Sequence, residues 1–64
     1  MKMKLKELTK CMTIATLVKL YSHQNRYTSF MVYKGSAKRI PDKYLGKKII
    51  AIDNSIGYID IIVL

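Results

Sequence analysis

The segment Tyr58-Ile59-Asp60-Ile61-Ile62-Val63-Leu64 constrains this chain more than any other feature of it. It is rich in β-branched residues, so it reads as a strand whose successive side chains point to opposite faces. A half-exposed antiparallel strand alternates apolar and polar residues. Here Ile59, Ile61 and Val63 fall on one face while Ile62 and Leu64 take most of the other, and both faces call for cover. Two arrangements supply it. A second copy of the chain packs on the strand by face or edge, with Ile59, Ile61, Ile62 and Val63 as the seam, or the strand lies centrally in a small closed barrel. Self-association is the favoured expectation. The 64 residues make a single domain (1–64), and a core of that size supplies only about 3–5 kcal/mol. One cysteine and one histidine provide neither a disulfide nor a metal staple within one chain.

The remaining elements follow from periodicity and punctuation. Leu5, Leu8 and Met12 recur at helical spacing between Lys4, Glu7 and Lys10, which predicts a short amphipathic helix over about residues 3 to 11, with Cys11 as a small buried hydrophobe on its face. From Thr16 to Tyr21 the pattern is that of a strand, with Val18 and Leu20 on one face and Leu17, Lys19 and Tyr21 on the other. The polar cluster Ser22 to Arg26 reads as a hairpin loop, and a second strand runs from Tyr27 to about Gly35. Ile40-Pro41-Asp42-Lys43-Tyr44-Leu45-Gly46 reads as one helical turn, with Pro41 opening it and Gly46 stopping it. Residues 48–53 and 58–64 are two further strands joined by the turn formers Asn54 to Gly57. The expected fold is therefore α+β, a short N-terminal helix on an antiparallel sheet of about four strands, or the partly closed barrel that the last strand allows.

Several function classes are disfavoured by what the chain lacks. The acids are Glu7, Asp42, Asp53 and Asp60, far apart in sequence, with no nucleophile and base at a catalytic spacing. Cys11 and His23 fall short of a zinc site, and Gly35, Gly46 and Gly57 stand singly, outside any phosphate-cradling glycine motif. The expectation is a protein with no catalytic residues, no cofactor and no metal. The apolar runs are too short for a membrane span. The lysine-rich start followed by an apolar stretch imitates a signal peptide only until Glu7 and Lys10 interrupt it, so the expected address is the cytoplasm.

Charge points to a partner class. Lys and Arg number 12 against four acids, a formal net charge of +8. The basic residues cluster: Lys34, Lys38, Arg39, Lys43, Lys47 and Lys48 stand against Asp42 alone, and Lys2, Lys4, Lys6 and Lys10 against Glu7. Such clusters concentrate phosphate-bearing ligands, and neighbouring rings such as Tyr44 can stack on bases. Arg26, in the first hairpin loop, extends the candidate site. Two bland readings stand beside this one: the lysines solubilise an apolar, strand-rich protein and guard its edges, and Tyr44 anchors its turn rather than stacking on a ligand.

The order of a KLKEL helix, a Thr-Leu-Val-Lys-Leu-Tyr strand, a polar hairpin, the Ile40-Pro41-x-x-Tyr44-Leu45 segment and an Ile-Asp-Ile-Ile-Val ending resembles small uncharacterised phage and mobile-element proteins of Firmicutes. The resemblance covers nearly the whole chain and is specific only in the Ile-Pro-x-x-Tyr-Leu segment. The net charge of +8 departs from it. It implies a non-enzymatic binding role in a host cell. The expected partners are a second copy of the chain and an anion, either nucleic acid or a small signalling nucleotide, in a role that counters host defence. The alternatives are an inhibitor of a host defence protein, as anti-CRISPR proteins are, or a structural phage subunit.

Overall fold

The computed structural model describes residues 3–25 and 28–64. The elements run α1 (Leu5–Thr9), β1 (Leu17–Asn25), β2 (Thr28–Ser36), a 3₁₀ turn (Ala37–Arg39), α2 (Asp42–Leu45), β3 (Ile49–Ser55) and β4 (Tyr58–Val63). The fold is α+β, with the helical pieces on one face of a four-stranded sheet.

The sheet is open and mixed, in the order β2-β1-β4-β3. The hairpins β1–β2 and β3–β4 are antiparallel, as their tight spacing in sequence requires, but they join through a parallel ladder in which Val18 faces Ile59 and Leu20 faces Ile61. The purely antiparallel sheet expected from sequence is corrected at this one seam. Residues 37–48 carry the chain across the helix-covered face, and such a crossover returns the fourth strand parallel to the first. The barrel does not form: β2 and β3 are the two edges.

The place of β4 under the helices explains one side of its doubly apolar pattern, while Ile62 faces the uncovered side. Ile61 and Val63 are fully buried beneath α1 together with Leu5, Val18, Leu20 and Ile49, while Ala37 and Ile40 close one side. The predicted stripe does this packing: Leu5 is fully buried, and Leu8 and Met12 pack on the same core. The helix itself is shorter than expected. Its start is fixed by Leu5 N–H donating to Lys47 O (2.9 Å) and Lys4 N–H donating to Glu7 Oε1 (3.2 Å). It ends at Thr9, so Cys11 lies beyond it and is exposed rather than buried.

Two further expectations shift. The polar cluster after Tyr21 is strand rather than loop, since Ser22 pairs with Phe30, His23 with Ser29 and Asn25 with Thr28. Cross-strand pairing outweighs weak β-propensity there. The Ile40–Gly46 turn is helical as predicted, with Pro41 one residue before the first helical position and Gly46 ending the turn at φ −84, so that no left-handed residue is used.

Gly35 does need to be glycine. Its φ of 147 lies where side chains are strained, and a Cβ there would sit 3.1 Å from the Tyr33 hydroxyl, which donates to Ser36 O at 2.7 Å. Gly35→Ala should therefore cost about 1–3 kcal/mol, read as a lowered denaturation midpoint. An unchanged midpoint would show that the β2 backbone relaxes freely at this point.

Candidate anion-binding surface

Lys4, Lys6 and Lys10 of the first basic cluster meet Lys38, Arg39, Lys43, Lys47 and Lys48 of the second on the helix-covered side of the sheet; Lys2 lies outside the described residues. Lys47 accepts from Leu5 through its carbonyl, Ile49 N–H donates to Met3 O (2.8 Å) and Lys4 bridges Lys48, so the turn after α2 lies against the start of α1. The 3₁₀ turn is held at the other end of α1. Ser36 Oγ donates to Ile14 O (2.7 Å) and accepts from Lys38 N–H, and Ala37 N–H donates to Thr16 O (2.8 Å). The helical layer thus carries Lys4, Lys6 and Lys10 beside Lys38, Arg39, Lys43, Lys47 and Lys48, with Glu7 and Asp42 as its acids.

These cations are not equivalent. Lys38 Nζ donates to Thr9 O at 2.7 Å, placing a cation on a carbonyl at the C-terminal end of α1, where the helix dipole favours it. Its first role is structural. Arg39, Lys43 and Lys48 are exposed and Lys47 is half-buried. Tyr44 packs on the core with Lys43 Nζ 5.1 Å above its ring, which makes it the anchor of its turn, with that cation already over one face. Arg26 lies outside the described residues.

Lys34 is not part of this surface. It pairs with Lys19 across β1–β2, and Lys19 alternates with buried Val18 and Leu20, so both lysines stand on the opposite, open face of the sheet. Their ammonium groups lie 5.1 and 4.9 Å from the centroid of the Tyr58 ring. Sequence reasoning missed Lys19 as a functional candidate because its neighbours in sequence are apolar. The signal was its in-register position opposite Lys34, which sequence alone does not supply.

The proposed seam also changes. Ile61 and Val63 are fully buried in the chain's own core and Ile59 packs half-buried against it, so these three cannot serve as a contact surface; only Ile62 faces the open side. The doubly apolar strand is satisfied on one face by α1 and on both edges by β1 and β3.

The open face is organised in rows. One row runs Met31, Tyr21, Ile62, Ala51 across β2, β1, β4 and β3, and the next runs Lys34, Lys19, Asp60, Asp53. Asp60 accepts from Ser55 Oγ at 3.1 Å. At the two outer positions lysine sits directly beside lysine and aspartate beside aspartate, placements that are destabilising, while at the centre Lys19 stands beside Asp60 as an opposite-charge pair. In comparison with known proteins, the chain matches no family model, no curated protein and no solved structure. Among the described residues no helix is long and apolar enough to cross a membrane.

Proposed function

We propose that the chain is a non-enzymatic, self-associating binding protein of the phage and mobile-element type whose helical layer holds a polyanion, with nucleic acid as the ligand. The observation that supports this reading is the gathering of eight cations, Lys4, Lys6, Lys10, Lys38, Arg39, Lys43, Lys47 and Lys48, on the helical layer with Glu7 and Asp42 as its acids, while Asp53 and Asp60 lie on the far side of the sheet beside Lys19 and Lys34. A spread of point charges over three short elements suits a phosphate backbone better than a single small nucleotide, which requires a few convergent donors in a concave site. The packing of Tyr44 against the core points the same way, since binding through charge rather than base stacking carries little sequence preference. Countering host defence by masking nucleic acid is the biological role this chemistry would serve.

The test is fluorescence anisotropy with single- and double-stranded oligonucleotides over a range of salt. Binding should weaken steeply as salt rises. Replacing Arg39, Lys43, Lys47 or Lys48 by Ala should lower affinity for all sequences alike and reduce the salt slope by about one for each phosphate left without its cation. Lys38→Ala should in addition lower stability by about 0.5–1 kcal/mol, because the hydrogen bond at the helix terminus goes with it. Affinity unchanged across the series would return the lysines to a solubilising role.

A further inference from the structure

We infer that the open face of the sheet is where two copies of this chain associate, face to face, about a two-fold axis parallel to the strands and midway between β1 and β4. This deepens the self-association proposed above and rests on that part of the reading alone, independently of any polyanion.

The argument begins with strand order. In β2-β1-β4-β3 the inner strands are parallel to each other, and each outer strand is antiparallel to its inner neighbour. A two-fold axis along the strand direction lays β1 on the partner's β4 and β2 on the partner's β3 with every strand direction matched. That is the aligned way for two sheets to stack, about 10 Å apart. A rotation axis allows no slip along itself, so each row meets the same row of the other copy in reverse order.

The rows are complementary under this operation. Lys34-Lys19-Asp60-Asp53 lies over Asp53-Asp60-Lys19-Lys34 of the partner, so each lysine faces an aspartate. The like-charge neighbours that strain a single sheet acquire opposite charges across the interface. Lys19 and Lys34 are already held on this face by the Tyr58 ring. The adjoining row Met31-Tyr21-Ile62-Ala51 places the partner's Ile62 over Tyr21 and the partner's Ala51 over Met31, whose side chain is 47% exposed in the single chain. A large residue then meets a small one at each outer position and the two central residues pack near the axis.

Size sets the strength. Four strands about 4.8 Å apart, meeting over about six residues of about 3.3 Å each, cover about 400 Å² on each copy and bury about 800 Å² in total, the size of a weak, transient interface. The expected dimer is weak, with a dissociation constant in the micromolar range or above. Its two cation-bearing helical layers point away from each other, so self-association does not merge them into one deeper site.

Charge reversal tests the arrangement. One variant carries Lys19→Glu and Lys34→Glu, and the other carries Asp53→Lys and Asp60→Lys. Each pair of reversals changes the net charge of +8 by four units, down in one and up in the other, so both remain cationic and have no overall attraction. Native mass spectrometry and sedimentation velocity at low salt, without nucleic acid and at about 100 μM, well above a micromolar dissociation constant, should show the wild type at the mass of two 7.4 kDa chains. Each variant alone should be monomeric, and the mixture should form a one-to-one heterodimer, with circular dichroism reporting the fold throughout. A monomeric wild type, a variant that still dimerises alone, or folded variants that fail to pair when mixed would each overturn the proposal. If either double variant does not fold, Ala51→Lys, a change at an exposed position, should give a monomer, and an unchanged dimer there overturns it equally. Loss of oligonucleotide binding in the earlier assay leaves this result untouched, so the two readings fail separately.

Discussion

An Ile61→Asp protein should be unfolded at room temperature. Ile61 has no exposed surface and stands between Leu20 on β1 and Ile52 on β3, beneath Leu5. A carboxylate at that point either stays ionised in an apolar interior or takes up a proton at a cost, and it leaves the volume of the isoleucine incompletely filled. The combined destabilisation exceeds about 4 kcal/mol, against the few that a domain of this length possesses. The expected readout is a far-UV circular dichroism spectrum without a cooperative melt. Ile61→Val, by contrast, should retain the fold at a cost of about 0.5–1.5 kcal/mol. A folded Asp variant would mean that β4 is not the centre of the sheet. Read from sequence alone, with Ile61 in a seam between copies, the same substitution is expected either to dissociate the assembly or to unfold it. Burial of the side chain within its own chain leaves unfolding as the expected result.

Leu5→Ala should have the next largest effect, a destabilisation of about 2–4 kcal/mol and a fall in Tm of about 10 °C or more. The helix is five residues long, far below the length at which a helix holds itself together in water. Its attachment is Leu5, whose side chain is fully buried and whose N–H donates to Lys47 O. Native-state hydrogen exchange should show the amide of Ile49, which donates to Met3 O, opening ahead of amides in the central ladder. Affinity for an oligonucleotide should fall in parallel, because Lys4 loses the frame that sets it beside Lys47 and Lys48, and Lys6 and Lys10 lose the helix that carries them. A Tm lowered by only a few degrees would show that the sheet and α2 hold the domain without α1.

The elements of this fold were legible where a local rule decides them. The Leu5-Leu8-Met12 spacing, the Val18 and Leu20 alternation and the Ile-Pro-Asp opening of α2 each have a cause within a few residues, and each packs or turns as its pattern requires, although α1 stops at Thr9 before Met12 and Pro41 precedes the first helical residue. The hairpins followed from their short connections. The docking of the two hairpins was not legible, because no rule within a few residues states whether β1 meets β4 in parallel or antiparallel. The placing of Ile59, Ile61 and Val63 depended on the same docking: an apolar pattern on both faces signals need for cover, and the chain itself supplies that cover on the face of these three residues but not on the face of Ile62. The basic surface was half visible. Its lysines were named from clustering, while the removal of Lys34 to the other face and the use of Lys38 at the helix end depended on register and on where the chain turns.

The parallel seam also sets an order on assembly. Each hairpin closes a loop of a few residues, whereas pairing Val18 with Ile59 brings together positions roughly forty residues apart. Closing so long a loop costs roughly 3 kcal/mol of chain entropy before any packing offsets it. The two halves of the sheet are therefore quick to form and slow to meet, and the ladder between them is the step that converts two marginal ribbons into one cooperative domain. Until that ladder closes, Ile61 and Val63 are bare on a ribbon edge, and the interval in which the chain is most prone to stick to others is the time its first and last strands take to find each other.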